Sequence, residues 1–181
     1  MVNAVMHFDF AILDFIQAHF LCAFFDFFMP AISFLGNHGE IWIFSALLLC
    51  CIKEYRKDGL MVLVGLLIGF ILGNLLLKPL VARPRPCWIY PEFLRLIPSP
   101  RDFSFPSGHT LSSFIAAFLL TKTNPKFGYA AIPLASLMAF SRLYLYVHFP
   151  TDVLCAILLA AGIAYFVWKL FYRKKHQKNS L

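Results

Sequence analysis

The sequence predicts an all-α integral membrane protein, a bundle of about six transmembrane helices with a weakly amphipathic N-terminal helix. Apolar residues make up 60% of the 181-residue chain and charged residues only 14%, whereas a soluble domain carries about a quarter charged residues. The basic residues, which contribute to a net charge of +7, lie in short gaps between apolar runs. That distribution is typical of membrane topology signals and not of a nucleic-acid-binding surface, so no nucleic-acid partner is expected.

The apolar runs define the helices in order. Residues 7–19 are weakly amphipathic and predict a helix lying along the membrane surface. Candidate spans follow at 20–36, 39–52, 59–77, 107–121, 127–146 and 150–170. Several are shorter than the roughly 20 residues that a straight helix needs to cross a bilayer, so five spans are the alternative to six. Gly65, Gly69 and Gly73 repeat every four residues in the third span, a pattern typical of closely packed helices.

The loop charges predict an orientation. With six spans, one side of the membrane receives loop 53–58, loop 122–126 and the basic tail 173–181, which hold most of the basic residues. Because basic loops remain in the cytoplasm, both termini are expected there. Loop 79–106 and the stretch 142–149 then lie on the extracytoplasmic face. The whole chain, 1–181, is expected to form one membrane-embedded domain.

The segment 79–106 is predicted to be one long non-helical loop. It holds seven of the eleven prolines, and a loop of this length in a compact protein usually carries a function. Arg83 and Arg95 in this loop are expected to meet lipid headgroups or water. For Arg101 and Asp102, contact with a substrate and a local ion pair both remain open.

Three stretches bring titratable residues to the predicted extracytoplasmic face. They are Lys78 to Arg85-Pro86, then Phe105-Pro106-Ser107-Gly108-His109, and finally Ser141-Arg142 through His148 to Asp152. Pro106 and Pro150 both suit the first turn of a helix. Ser107 and Gly108 would then lie at a helix N-terminus, where free backbone N–H groups bind anions.

The cations in these stretches predict a phosphate site. Lys78, Arg85 and Arg142 are costly beside hydrocarbon unless they have a purpose or a partner. Arginine forks bind phosphate oxygens in pairs and stabilise charge on a phosphoryl group during transfer.

The remaining residues predict catalysis at that phosphate. His148, oriented by Asp152, suits a nucleophile, and His109 suits an acid that protonates the leaving oxygen and later activates water. The sequence holds no acidic cluster suited to Mg²⁺. The predicted reaction therefore needs neither a metal nor a cofactor.

In this order, the three stretches resemble the signature motifs of the type 2 phosphatidic-acid phosphatase family. That family includes membrane lipid-phosphate phosphatases, undecaprenyl-pyrophosphate phosphatase and glucose-6-phosphatase. The resemblance covers 78–152 and implies that His148 forms a phosphohistidine, with Asp152 as its partner and His109 as the acid and base. It assigns the phosphate cradle to Lys78, Arg85, Ser107, Gly108 and Arg142.

The sequence and the resemblance together predict a metal-independent phosphohydrolase of membrane lipids. Undecaprenyl pyrophosphate is the expected substrate, because an outward-facing site suits a carrier released at that face. Phosphatidylglycerol phosphate and phosphatidic acid are the alternatives. A transporter or scaffold that uses the same fold without catalysis is the alternative of another class.

Overall fold

The computed structural model describes residues 2–93 and 96–172. Every regular element in these ranges is a helix, which confirms the predicted all-α class for this part of the chain. The helices are α1 (Val2–Phe20), α2 (Ala23–Leu35), α3 (Glu40–Cys51), α4 (Arg56–Gly69), α5 (Lys78–Val81), α6 (Pro86–Ile89), α7 (Gly108–Thr123), α8 (Pro125–Tyr144) and α9 (Pro150–Tyr172). A π-helical segment, Phe70–Leu77, joins α4 to α5. Arg95 and the basic tail lie outside the described residues.

Helix α7 forms the centre of the bundle and packs against α4, α8 and α9. Its contact with α4 and the π-helical segment depends on glycine. A methyl group at Gly69 would lie 2.4 Å from Ile115 Cδ1, and one at Gly73 would lie 2.4 Å from Leu111 Cδ2. Because small residues let two helices approach closely, the predicted packing role of this glycine repeat is confirmed.

Helices α2 and α3, which correspond to the predicted spans 20–36 and 39–52, do not form a hairpin. They are joined by a short 3₁₀ turn, Asn37–Gly39, and together they make a segment bent by 43°. Ser33 of α2 contacts Arg142 near the predicted site. Further along, α3 packs against the start of α4, where a methyl group at Gly59 would lie 2.5 Å from the Ala46 carbonyl oxygen. The chain therefore continues past the turn towards the other end of the bundle.

The predicted count of six spans is not confirmed. By length and composition, two helical stretches of the described chain can cross a membrane, Arg56–Ile89 and Pro150–Tyr172. The bent pair Ala23–Leu35 and Asn37–Cys51 adds a third if it forms one span. The Gly-Asn-His-Gly sequence marks the break between α2 and α3, but the helices on either side of it do not reverse direction.

Helix α1 lies across the end of the bundle where α8 ends and α9 begins. Gln17 donates a hydrogen bond of 3.0 Å to the Tyr144 carbonyl, and the backbone N–H of Thr151 donates one of 2.9 Å to Asp9. This differs from the expected arrangement, in which both ends of the chain lie opposite the site. The contacts of α1 instead hold it beside the stretch 142–152.

The segment 79–106 contains more structure than a plain loop. Helix α5 continues past Pro79 to Val81, and α6 begins at Pro86, where a proline suits the first helical position. The expectation of an entirely non-helical segment is therefore wrong. The predicted start of α9 at Pro150 is confirmed.

Candidate active site

One cavity of about 1280 Å³ brings most of the predicted site residues together. Those that line it are Lys78, Arg85, Gly108, His109, Arg142 and His148. The apolar part of the lining comes from α2, α3, α4 and the π-helical segment, and it includes Ile43, Leu63 and Phe70. The cavity therefore combines a cationic end with an apolar end.

His148 is buried in the turn between α8 and α9, with 1% of its surface exposed. Arg85 Nη1 lies 3.0 Å from Nε2 of His148 and donates 2.7 Å to the Val147 carbonyl. Because a guanidinium only donates, Nε2 carries the lone pair and Nδ1 carries the proton. Burial lowers the pKa of His148 well below its ordinary value, and the charges of Arg85 and Arg142 lower it further. The imidazole is therefore neutral at physiological pH, as a nucleophile requires.

Asp152 lies on the Nδ1 side of His148. Its Oδ2 is 3.6 Å from Nδ1 and accepts a hydrogen bond of 2.9 Å from the Phe149 N–H. Ser104 also donates to Oδ2, and its oxygen lies 3.5 Å from Nδ1. The carboxylate thus acts on the imidazole as a nearby charge, and Ser104 lies within reach of both groups. Ser104 is not among the predicted site residues, because a serine beside the Phe105-Pro106 stretch carries no distinguishing pattern.

Lys78 and Arg85 are linked through Asp102. Lys78 donates to Oδ2 of Asp102, and Arg85 Nη2 donates 2.7 Å to Oδ1. Burial raises the pKa of the Asp102 carboxyl, but the hydrogen bond from Lys78 and the charge of Arg85 outweigh it and hold the pKa well below its usual range. The ion pair of Asp102 is therefore not a local one: its partners are two of the predicted phosphate-binding cations, 24 and 17 positions away in the sequence. Contact of Asp102 with a substrate stays a prediction.

Arg142 and His109 are held by residues around the α2–α3 break. Arg142 donates to the Ser33 hydroxyl, and its buried Nε has no partner within the described residues. His109 Nε2 lies 3.1 Å from the Asn37 side-chain oxygen. The predicted span limits 20–36 and 39–52 placed an interruption here, but its contacts with α7 and α8 depend on tertiary packing.

Ser107 and Gly108 occupy the predicted N-terminus of α7. The Ser107 hydroxyl caps this helix, accepting from the Thr110 N–H at 3.4 Å, and Ser107 is not among the residues that line the cavity. A methyl group at Gly108 would lie 3.0 Å from the Asn74 side-chain oxygen. The absence of a side chain at Gly108 therefore accommodates Asn74 of the π-helical segment.

Arg83 was expected to meet lipid headgroups or water, and this expectation is wrong. Only 18% of its side chain is exposed, and it forms ion pairs with Asp9 and Asp152. The signal that could have revealed these contacts was Asp9, a carboxylate in an apolar stretch that needed a partner.

No group of three or more His, Cys, Asp or Glu side chains is placed to hold a metal ion in the described part of the chain. The metal-independent reaction stays a prediction, since it concerns chemistry and not the placement of these side chains alone.

Comparison with known proteins places this arrangement among phosphatases. The model of the PAP2 superfamily matches residues 58–176. An undecaprenyl-diphosphatase of Sulfolobus acidocaldarius is 36% identical over 73% of this chain, a match that spans 65% of the relative, slightly under two thirds of its length. A decaprenylphosphoryl-5-phosphoribose phosphatase of Mycobacterium tuberculosis is 31% identical over 73% of the chain and 72% of the relative.

A solved structure resembles the whole fold. It is the crystal structure of a PAP2-type phosphatidylglycerolphosphate phosphatase from Bacillus subtilis, which is 28% identical with a TM-score of 0.76. The match covers 96% of this chain and 88% of that one. The similarity therefore extends beyond the motif residues to the helices around them.

Proposed function

Because the chain belongs to the PAP2 superfamily, a membership that confirms the predicted resemblance, we propose that it is a lipid phosphatase acting through a phosphohistidine on His148. The observation that carries this proposal is the environment of His148 at the cationic end of the cavity. Its Nε2 accepts from Arg85, and its Nδ1 faces Asp152. A neutral imidazole in this tautomer has its lone pair on the atom that would attack phosphorus.

In the first step, Nε2 of His148 forms a bond to phosphorus while the bond from phosphorus to the leaving oxygen breaks. His109, as an imidazolium, gives a proton to that oxygen and becomes neutral, so the product leaves as a lipid alcohol or a lipid monophosphate. The imidazole becomes cationic with its proton on Nδ1, and the Asp152 carboxylate at 3.6 Å stabilises that charge. Lys78, Arg85 and Arg142 stabilise the oxygens of the transferring phosphoryl group.

In the second step, His109 takes a proton from water and the resulting hydroxide attacks phosphorus. The bond between phosphorus and Nε2 breaks, which releases inorganic phosphate and restores neutral His148. Asn37, at 3.1 Å from His109 Nε2, would hold that ring in position during both proton transfers.

The substrate is proposed to be a long-chain lipid pyrophosphate, most closely undecaprenyl pyrophosphate. Two observations support this assignment: the name of the 36% identical Sulfolobus relative and the apolar wall of the cavity. The tail would lie between the α2–α3 segment and α4, with the phosphates at the cationic end. The structural likeness to a phosphatidylglycerolphosphate phosphatase keeps that lipid as the second candidate.

The site is proposed to face the extracytoplasmic side. Lys57 and Asp58 at the start of α4 contact the end of α9, Phe171 and Tyr172, which groups the basic loops at one end of the bundle. Because basic loops remain in the cytoplasm, the other end, with the site, lies outside. Helix α1 would then also lie outside, which revises the expected position of the N-terminus.

The test of the activity is phosphate release by purified protein from undecaprenyl pyrophosphate, phosphatidylglycerol phosphate and phosphatidic acid, each with His148→Ala as the control. We expect turnover of at least one lipid, abolished by His148→Ala, with an acid-labile phosphoryl-enzyme in the wild type alone. Equal turnover by His148→Ala would exclude the mechanism, and no turnover of any lipid would exclude the activity.

The test of the orientation is cysteine labelling from outside intact cells in a cysteine-free background. The probe on α1 is Phe8→Cys, because the Phe8 side chain is 55% exposed. The control at the opposite end of the bundle is Lys126→Cys, at the start of α8. We expect labelling of the former only. Labelling of Lys126→Cys alone would show that the site faces the cytoplasm.

A further inference from the structure

We infer that Asp9 and Arg83 are positioning residues that set the charge and orientation of Asp152 behind the nucleophile. The inference rests on the proposed role of His148, and it adds a residue from the N-terminal helix, outside the three motif stretches, to the catalytic arrangement.

The guanidinium of Arg83 is divided between two buried carboxylates. Its Nη1 donates 2.6 Å to Oδ1 of Asp152, and its Nη2 donates 2.5 Å to Oδ2 of Asp9. Both carboxylates are fully buried. The flat face of Arg83 lies 3.9 Å from the centre of the Phe149 ring, so the cation is held from three directions. A buried charge fixed in this way has little freedom to reorient.

Asp9 is anchored independently of Arg83. Its Oδ1 accepts 2.9 Å from the Thr151 N–H, and its Oδ2 accepts 2.7 Å from the Thr151 hydroxyl. The same hydroxyl also accepts from Arg83 at 2.8 Å. Asp9 is therefore joined to the first turn of α9, next to Asp152, although it lies far away in the sequence.

The two oxygens of Asp152 have different partners. Oδ1 faces Arg83, while Oδ2 faces Ser104, the Phe149 N–H and the Nδ1 side of His148. If Arg83 paired with Asp152 alone, one positive charge would cancel the carboxylate that has to stabilise the imidazolium. Because Asp9 shares that cation, the group of two carboxylates and one guanidinium keeps a net negative charge beside His148.

The other charged groups around His148 are cationic or titratable and come from several elements. They are Lys78, Arg85, His109 and Arg142, together with Asp102, which pairs with Lys78 and Arg85. The negative charge of the Asp9–Arg83–Asp152 group is therefore set against several positive charges on the cavity side. Its removal should change the proton affinity of His148 and its rate of phosphorylation, and not merely the attachment of α1.

Two variants change the charge in opposite directions. Asp9→Asn removes a negative charge while keeping the shape, and we expect kcat to fall about tenfold, the equivalent of one charge-assisted hydrogen bond, with KM unchanged. The acid limb of kcat/KM should move to lower pH, because a less negative surrounding disfavours the imidazolium. Arg83→Met removes a positive charge, and its acid limb should move to higher pH. Ionisation of the substrate is common to all variants, so the differences report the enzyme.

The matched control is Asp14→Asn, the same chemical change at an exposed position of α1, where the Asp14 carboxylate accepts a hydrogen bond of 3.5 Å from the Tyr146 hydroxyl. It should leave kcat and the pH profile as in the wild type. Arg83→Lys should recover the wild-type pH limb with only part of the rate, since an ammonium keeps the charge but cannot bridge two carboxylates as a planar fork does.

The inference is overturned if the acid limb of the kcat/KM profile stays in place in both Asp9→Asn and Arg83→Met, or if it moves in the same direction in both. The contacts of Asp9 and Arg83 would then serve only to attach α1. If Asp9→Asn does not yield folded protein, the comparison of Arg83→Met with Arg83→Lys decides on the same criterion. Failure of the proposed function has a different signature, since the wild type would then release no phosphate or His148→Ala would remain active.

Discussion

Asp102 pairs with two of the three cations proposed to bind the phosphate group, Lys78 and Arg85. Its carboxylate bridges Lys78 and Arg85, so an entering phosphate has to displace it or share these partners. The substitution Asp102→Asn removes the negative charge and keeps a side chain of the same shape. We therefore expect the variant to bind inorganic phosphate more tightly than the wild type.

The magnitude follows from the exposure of the side chain. A hydrogen bond to a charged group contributes about 1.5–3 kcal/mol when it is buried. The Asp102 side chain is 53% exposed, and solvent screening reduces the contribution of such a pair to about 1 kcal/mol. Since 1.4 kcal/mol corresponds to a factor of ten, phosphate should bind about fivefold more tightly.

The assay is isothermal titration of the purified protein with inorganic phosphate, supported by the inhibition constant of phosphate in the turnover assay. Glu92→Gln is the matched control, because Glu92 is an exposed acid in the same segment. It should bind phosphate as the wild type does. Unchanged or weaker binding by Asp102→Asn would show that the carboxylate assists the cations and does not compete for them.

The same variant has a readout in stability. The folded-state pKa of Asp102 lies below its ordinary value of 3.8. Its contribution to stability is therefore present above pH 3.8 and is lost as the pH falls towards the lower folded value. Asp102→Asn should therefore lose less stability than the wild type as the pH falls below 3.8. Thermal unfolding in detergent over that pH range measures the difference.

Three further outcomes are expected. Ser104→Ala should lower kcat about tenfold with KM unchanged, because Asp152 loses a donor beside His148; a wild-type rate would remove Ser104 from the site. Gly59→Ala should cost about 1–3 kcal/mol in thermal unfolding, because the added methyl group meets backbone at 2.5 Å. Gly162→Ala is the control, because a methyl group there would meet no atom within 4 Å, and it should leave the stability unchanged. Equal losses of stability in Gly59→Ala and Gly162→Ala would contradict the packing explanation. Turnover should persist in EDTA, and its loss would refute the metal-independent reaction alone.

The local features of the site were predictable because they depend on short-range chemistry. Proline at the first turn of a helix predicted where α9 begins, and Ser107 with Gly108 predicted the N-terminus of α7. The same expectation for Pro106 is wrong, since this residue precedes the N-cap Ser107 and lies outside the helix. The spacing of charged residues among apolar ones predicted that they would meet, since isolated charges are costly there. Six of the predicted residues consequently share one cavity.

The partners of the predicted residues could not be found in the same way. Arg83 and Arg85 are two residues apart in an irregular segment, and the sequence cannot tell which partners each will meet. The structure directs Arg85 to His148 and Asp102, and Arg83 to Asp152 and Asp9. These choices depend on how α1 and α9 pack, which is a property of the assembled bundle.

The course of the chain at the α2–α3 break was equally inaccessible. The Gly-Asn-His-Gly sequence signals an interruption of the helix, but a reversal and a 43° bend satisfy that signal equally well. The bend follows from tertiary contacts, with Ser33 on Arg142 and Trp42 donating 2.9 Å to Ser113 of α7. Both contacts join residues more than 70 positions apart in the sequence.

The contacts of α1 and the α2–α3 segment bear on where a working fragment of this protein can be cut. The PAP2 match begins at residue 58, and a fragment designed on that boundary would retain every motif residue. It would nevertheless lack Asp9, Ser33 and Asn37, which are partners of Arg83, Arg142 and His109. The segment matched by the family model is therefore smaller than the unit that holds the charges of the proposed site in place.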